Sequence, residues 1–406
     1  MWKGKHSVKR GGGWLKRALW RPETAFFAFY AAVTAFMTYP AVTLLSKTYA
    51  EKRDPLAGLW ILWWWRYSFL HRLPPSHCAK LAAPFGRAIP VYSVDPLNTV
   101  LTRTLSIVAG ETVAYNLILL FSFFAAAVAM YYLARRLTGD RAAAAFSGLA
   151  FAFCPYMLAQ GKEHLSLVNT MWMPLFLLTL IIAWKKRRPW WAGAAVALFL
   201  VQALFSYQYA LMLGSYTLVF LVVLWLTGKP WRGKGSLLWL ALKSALVLIL
   251  LASVLAVLYM NLSRSPLGAE KSKTGAYQFS ARPWDYLLPP AEGALFGGLT
   301  QGFINSHLHG GFLVESTLFL GYLPLLLSIY ALVKVSRRKA STGGEAAASQ
   351  EGTGGRVQSF SPGLGPAETG RVAWAFALAG LGAFLLSMPP TTRLFGLKLH
   401  LPSYIF

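Results

Sequence analysis

The stretch LAGLWILWWWRYSFLHRL, residues 56–73, decides how the rest of the chain is threaded. It is apolar enough to pass at first sight for a membrane span. Arg66, His71 and Arg72 interrupt it, however. Its tryptophans and tyrosine suit the headgroup region, where amphipathic aromatic rings settle. Counting it as a span would invert the side on which every later basic cluster falls. It therefore reads as an interfacial helix, lying on a membrane surface rather than crossing it.

The surrounding composition supports a membrane setting. Of 406 residues, 56% are hydrophobic and only 13% are charged. A soluble domain carries about 25% charged residues. Mean hydropathy is +0.48, and long apolar runs recur along the whole length, which marks a polytopic membrane protein. The formal net charge of +25 would fit nucleic acid if the basic residues formed one patch. They fall instead in short segments between apolar runs, such as KKRR at 185–188 and VSRRK at 335–339. Cytoplasmic loops have that pattern, so nucleic acid is excluded as a partner. Cys78 and Cys154 read as small apolar fillers, with no disulfide framework.

Apolar segments of near-bilayer length predict an all-α integral membrane fold with about nine transmembrane helices. They lie at 24–46, 112–134, 142–159, 168–184, 190–206, 209–227, 236–259, 314–334 and 372–388. With the basic tail 1–23 inside, the segments 135–141, 185–189, 228–235 and 335–371 are also inside, all rich in Lys or Arg. This gives a multi-pass cell-membrane protein with a cytoplasmic N-terminus and the C-terminus outside. Two long outer loops follow, 47–111 and 260–313, each too long to lack structure of its own. The body is expected to span 24–335. Residues 336–371, poor in large apolar side chains, read as a disordered cytoplasmic linker. A final span and outer tail occupy 372–406.

With 14 Asp and Glu in the chain, outer-face carboxylates stand out. Asp54 sits between Arg53 and Pro55 at the exit of the first span. It could take a proton from a hydroxyl or ligate Mg, Ca or Mn. The plainer reading is a helix start, since Asp is a favoured N-cap and Pro a favoured first helical residue. Glu163 and His164 occupy a short outer turn, and Tyr207 and Tyr209 close the next outer hairpin. In the 260–313 loop, Arg264, Lys271, Lys273 and Arg282 place cations outside, against the general bias, where they suit a phosphate. Asp285 follows closely. His307 and His309 form an H-x-H pair, which alone is weak evidence for a metal.

Several stretches carry a family resemblance. They are a first span ending TYP, then RDPLAGLWILWW, AYNLILLFSFFAAAVAMYYLARRLTGD, AFSGLAFAFCPYMLAQGKEHLSL with MWMPLFLL, and later YQFSARPWDYLLPP. In this order they resemble bacterial and archaeal polytopic membrane proteins similar to GT-C glycosyltransferases, over roughly residues 24–335. The resemblance implies an inverting transfer of sugar from a polyprenyl-phosphate carrier to a lipid, glycan or protein acceptor at the outer face. It implies an essential acid in the first outer loop, the place of Asp54. Pro55 stands where the second acid of the usual pair belongs, which leaves Asp54 as a lone general base and a divalent cation as not required. Glu163, His164, Tyr207, Arg264, Arg282 and Asp285 are the implied substrate-binding residues. The partners implied are polyprenyl-linked sugar and membrane lipid, with another chain supplying a missing C-terminal region. A transporter or lipid flippase is the rival reading, and a non-catalytic membrane scaffold the third. Mid-span ionisable residues are nearly absent, Lys243 being the main one, which weighs against transport.

Overall fold

The computed structural model describes residues 22–47, 54–81, 83–89, 95–186, 188–227, 277–293, 295–307, 314, 316–345, 366–394 and 397–400. Helix α1, Pro22–Met37, is cut short by the sequence TYP, after which a single 3-10 turn spans Ala41–Thr43. Proline lacks the amide that the helix needs and displaces the residue before it from helical geometry. The span expected at 24–46 is therefore shorter. The first long loop holds helix α2, Asp54–Leu70, a two-stranded ribbon of β1, His77–Cys78, and β2, Arg87–Ala88, and helix α3, Pro96–Ala109.

The helical body follows. It comprises α4, Glu111–Thr138; α5, Arg141–Ala152; α6, Pro155–Glu163; a single turn α7, Leu165–Val168; α8, Trp172–Lys186; α9, Pro189–Phe205; and α10, Tyr207–Thr227. Cys154–Pro155 breaks what reads as one segment, so α5 and α6 meet at 41°. After that come α11, Pro283–Leu287; α12, Gly297–Ser306; α13, Tyr322–Glu345; and α14, Pro366–Ser387. A ribbon of β3, Thr391–Leu394, and β4, Leu397–His400, comes next.

Among the described residues, three helices are long and apolar enough to cross a membrane: Glu111–Thr138, Leu165–Lys186 and Glu368–Ser387. A fourth results if the bent α5–α6 pair is one span. These helices mark a membrane protein, with fewer full-length spans than the nine expected. Segments 24–46 and 190–206 correspond to shorter apolar helices, 209–227 corresponds to α10, and 236–259 lies outside the described residues. Segment 314–334 becomes helical only at Tyr322, just after Gly321 with φ +85°, a conformation that glycine alone adopts readily. The linker expected at 336–371 is shortened at both ends, since α13 runs to Glu345 and α14 starts at Pro366.

Two cores hold the body together. Tyr30, Phe123, Ala126, Ala127, Tyr131, Ala144 and Ala145 join α1, α4 and α5. Phe176, Ile181, Ala195, Phe199, Phe220, Val372, Ala375 and Ala379 join α8, α9, α10 and α14. Thus α14, read from sequence as a separate final span, packs within the second core. In the first core small residues let backbones approach closely, which is how helices associate where lipid offers no hydrophobic contrast. The Tyr30 hydroxyl donates to the Ala145 carbonyl at 2.9 Å, directly over Gly148. A Cβ on Gly148 would strike the Tyr30 hydroxyl and lie 2.7 Å from the Ala127 carbonyl.

Gly148→Ala is therefore expected to destabilise the α1–α4–α5 junction by about 1–3 kcal/mol. Thermal scanning of the detergent-solubilised protein checks this; a variant melting with the parent would show that the junction yields freely.

Candidate functional site

The body has two chemically distinct ends. At one end lie Arg135, Arg136, Arg141, Lys185, Lys186 and Arg188, at the α4–α5 and α8–α9 turns. Arg141 pairs there with Glu23 at 3.4 Å and Lys185 with Glu368 at 2.6 Å, fixing the starts of α1 and α14. At the opposite end, the start of α4, the α6–α7 turn, the α9–α10 turn and the end of α14 come together. The α11 region attaches to this second end. The Tyr286 hydroxyl donates to Ser387 Oγ at 2.8 Å, the Ala281 amide to the Ser387 carbonyl at 2.8 Å, and Lys162 to Glu292 at 2.7 Å. Both loops read as external therefore meet the same end of the body.

Helix α3 lies at this end, against α2, α4 and α9, and it is amphipathic in reverse. Its buried residues are Asn98, Thr99 and Thr102, all polar. Its apolar residues face out: Ile107 is 72% and Val108 90% exposed. Such an arrangement suits lipid outside and a polar interior. Burying an amide costs about 1–3 kcal/mol unless it is hydrogen-bonded, and here a network offsets the cost. Asn169 Nδ2 donates to Asn98 Oδ1 at 2.8 Å and to the Leu165 carbonyl at 3.0 Å. Ser122 Oγ on α4 donates to Asn169 Oδ1 at 2.8 Å. Asn98 Nδ2 and Thr102 Oγ1 are buried without a partner.

Asp95 precedes α3 as its N-cap but makes no side-chain cap. Its carboxylate instead accepts a hydrogen bond from Ser166 on α7 and faces His164. Asp95 and Asn98 are three residues apart, as are Ser166 and Asn169, so two rungs join α3 to the α7 turn. Burial pushes the Asp95 carboxyl up to about 6, against the Ser166 hydrogen bond and the His164 charge, which pull it down. His164 Nε2 stands 3.9 Å from Glu163 Oε2. A half-buried carboxyl that titrates near neutrality can take and release protons.

The residues singled out from sequence divide among several roles. Glu163 and His164 sit at the site. From the α9–α10 hairpin, Tyr209 reaches the α6–α7 turn: its hydroxyl donates to the Leu167 carbonyl at 2.8 Å and pairs with the Tyr156 hydroxyl at 2.8 Å. Tyr207 neighbours Gln208, whose Nε2 lies 3.5 Å from its hydroxyl. Arg282 donates to the carbonyls of Ser280 at 3.1 Å and Tyr277 at 3.2 Å. Its backbone amide donates to Asp285 Oδ2 at 2.7 Å. This pair thus builds the start of α11, beside a small cleft lined by Trp284, Leu288 and Thr317. Burial lowers the Arg282 pKa, opposed by Asp285. Helix α2 begins at Asp54 as the Asp-Pro start implies; the side chain of Asp54, and all of Arg264, lie outside the described residues. His307 stacks on Phe303 at 4.1 Å. Among the described residues no group of three or more His, Cys, Asp or Glu side chains converges as a metal site.

Sequence reasoning passed over Asp95 as a site residue. One signal was available: Asp95-Pro96-Leu97 repeats the Asp54-Pro55-Leu56 helix start within the same loop. The aromatic run of α2 forms its own small core, with Trp64 and Cys78 buried together. Trp64 Nε1 donates to the Pro75 carbonyl at 3.0 Å, and Lys80 lies 4.2 Å over the Tyr67 ring.

Residues 19–350 match a family described as a domain of unknown function, DUF6311, and the chain belongs to that family. No curated protein and no solved structure matches it.

The raised Asp95 pKa has a consequence for stability. Folding favours the protonated acid, so its contribution is fully present below the ordinary value of 3.8 and is lost as pH rises through about 6. Asp95→Asn should therefore stabilise the protein at pH 8 by on the order of 2 kcal/mol, with the gain vanishing near pH 4. Thermal scans at the two pH values check both halves.

Proposed function

We propose that this chain is a membrane glycosyltransferase, moving a sugar from a polyprenyl-phosphate donor to a hydroxyl-bearing acceptor at the end of the body that carries Asp95, Glu163 and His164. The observation that carries this reading is the Asp95 carboxylate, which is withheld from capping its own helix and tied instead to Ser166 beside His164. The resemblance of the sequence to GT-C enzymes supports the reaction class. In the proposed step, Asp95 accepts the proton of the acceptor hydroxyl as its oxygen attacks the anomeric carbon. The bond from that carbon to the phosphate oxygen breaks, and the polyprenyl phosphate leaves with the electron pair, inverting the centre. Asp54, at the start of α2 in the same loop, is the second acid of the reading. The basic end faces the cytoplasm in this proposal, so that the site lies outside, and α10 with the shorter helices α1 and α9 completes the membrane-crossing bundle.

One observation favours the rival reading of a transporter or flippase. Both amide atoms of Gln202 on α9 and the Thr217 hydroxyl on α10 are buried without partners, and polar groups inside a bundle can line a path.

Proteoliposomes given labelled polyprenyl-phosphate sugars test the proposal. Transfer is expected, rising with pH through about 6 as Asp95 ionises, and falling about 10²–10⁴-fold in Asp95→Asn. Asp54→Asn run in parallel shows whether the second acid shares the step. Solute uptake with no glycosylated product from any donor would replace the transferase with the transporter.

A further inference from the structure

Helix α12 is amphipathic, and its apolar side is open. The inner side is set by Gly297 and Thr300, both buried, and by Ile304, which lines the cleft beside Trp284 and Leu288. Two contacts fix it there. The Thr300 hydroxyl donates to the Pro289 carbonyl at 3.0 Å, and a Cβ on Gly297 would strike the Ala291 carbonyl. Residues four apart lie on one side of a helix, so Leu299 and Phe303 share the opposite side, with Leu295 and Phe296 just before the first turn. All four are exposed, Leu295 at 87% and Leu299 at 84%. The exposed polar residues Gln301 and Asn305 lie on a separate flank. Large apolar side chains exposed together mark an interaction surface.

What lies against that surface follows from where α12 is held. Glu368–Ser387 of α14 is apolar enough to cross a membrane, and a helix of that length runs about 30 Å, the thickness of a hydrocarbon core. Ser387 then lies where acyl chains give way to headgroups. Ser387 receives the Tyr286 hydroxyl and the Ala281 amide, and the Tyr286 ring lies 5.2 Å from Phe384. Trp284, from the same short helix, meets the Phe303 ring of α12 edge-on at 6.1 Å. Among the described residues, α14 leaves Trp374, Leu378, Leu381 and Leu385 exposed along one side, the spacing of a lipid-facing stripe. Aromatic and leucine side chains held at the level of Ser387 settle into the headgroup–acyl boundary.

We propose that α12 is an in-plane helix seated in the bilayer surface at the polar end of the body, with Leu295, Phe296, Leu299 and Phe303 entering the acyl boundary. Its partner is the bilayer itself. Glu292, shortly before α12, holds Lys162 at 2.7 Å, next to Glu163, so the seated helix and the α6–α7 turn share one depth. The inference rests on the membrane setting and not on sugar transfer.

Photo-crosslinking of the full chain in nanodiscs of phosphatidylethanolamine and phosphatidylglycerol tests the seating. p-Benzoylphenylalanine, whose excited ketone inserts into neighbouring C–H bonds, replaces Leu295, Leu299, Gln301 or Asn305 one at a time, with Leu381 of α14 as the lipid-facing reference. Each of these side chains is exposed, so the replacements leave packing intact. Intact-mass spectrometry is expected to show lipid adducts at 295 and 299, as at 381, about ten-fold above those at 301 and 305. No lipid adduct at 299, or equal adduct at 299 and 301, overturns the seating. Crosslinking from 299 into a species of doubled mass overturns it as well, and assigns the surface to a second copy of the chain. No sugar donor is present, so none of these results bears on the transferase reading.

Discussion

The Asn169 side chain is the joint on which the polar end of the molecule depends. One amide donates to Asn98 on α3 and accepts from Ser122 on α4, while sitting just past the α7 turn. In an apolar surrounding an unmet amide is expensive, so the three elements are held in one relative placement by the cost of separating them. Only with α3 held this way can its polar face point inward and its Ile107 and Val108 outward. The Asp95–Ser166 contact is then the outer rung of the same ladder. An alanine at 169 would remove the hydrogen bonds to Asn98 and Ser122 and lose the register.

The layout also explains why charge is distributed as it is. Ion pairs at the basic end tie the first and last described long helices, through Glu23 and Glu368, to the turns of the body. Those at the other end, Lys162 with Glu292 and Arg66 with Glu111 at 3.9 Å, tie loops to the body. Each is solvent-facing and contributes little singly. Their value is in placement: they mark which turns share an end.

Much of the body was legible because apolar runs and Lys–Arg punctuation are local signals. Helices α4, α8, α9, α10 and α14 fall close to the segments expected, and the aromatic run of α2 is helical, as read. Prolines account for the misplaced ends, at Pro40 and Pro155. The site was less legible. The Glu163–His164 turn could be found from its brevity, but Asp95 could not be separated from an ordinary Asp-Pro helix start, because its distinguishing contact is to Ser166, 71 residues away in sequence. Likewise α3 reads as a poor helix until one sees that its polar side is the buried one.

The seating of α14 bears on how the molecule is assembled. Val372, Ala375 and Ala379 form a small-residue stripe against α10 and share a core with Phe220. During synthesis, roughly 150 residues are added between the end of α10 and the arrival of that stripe. Through that interval the side of α10 that packs on α14 waits for its partner, while α8 and α9 already share the core with Phe220. The second core is thus closed late and by a distant part of the chain, whereas the buried members of the first core all lie within residues 30–171. The polar network of Asn98, Ser122 and Asn169 lies wholly in the earlier half, so the order of emergence makes that network available before the bundle is sealed.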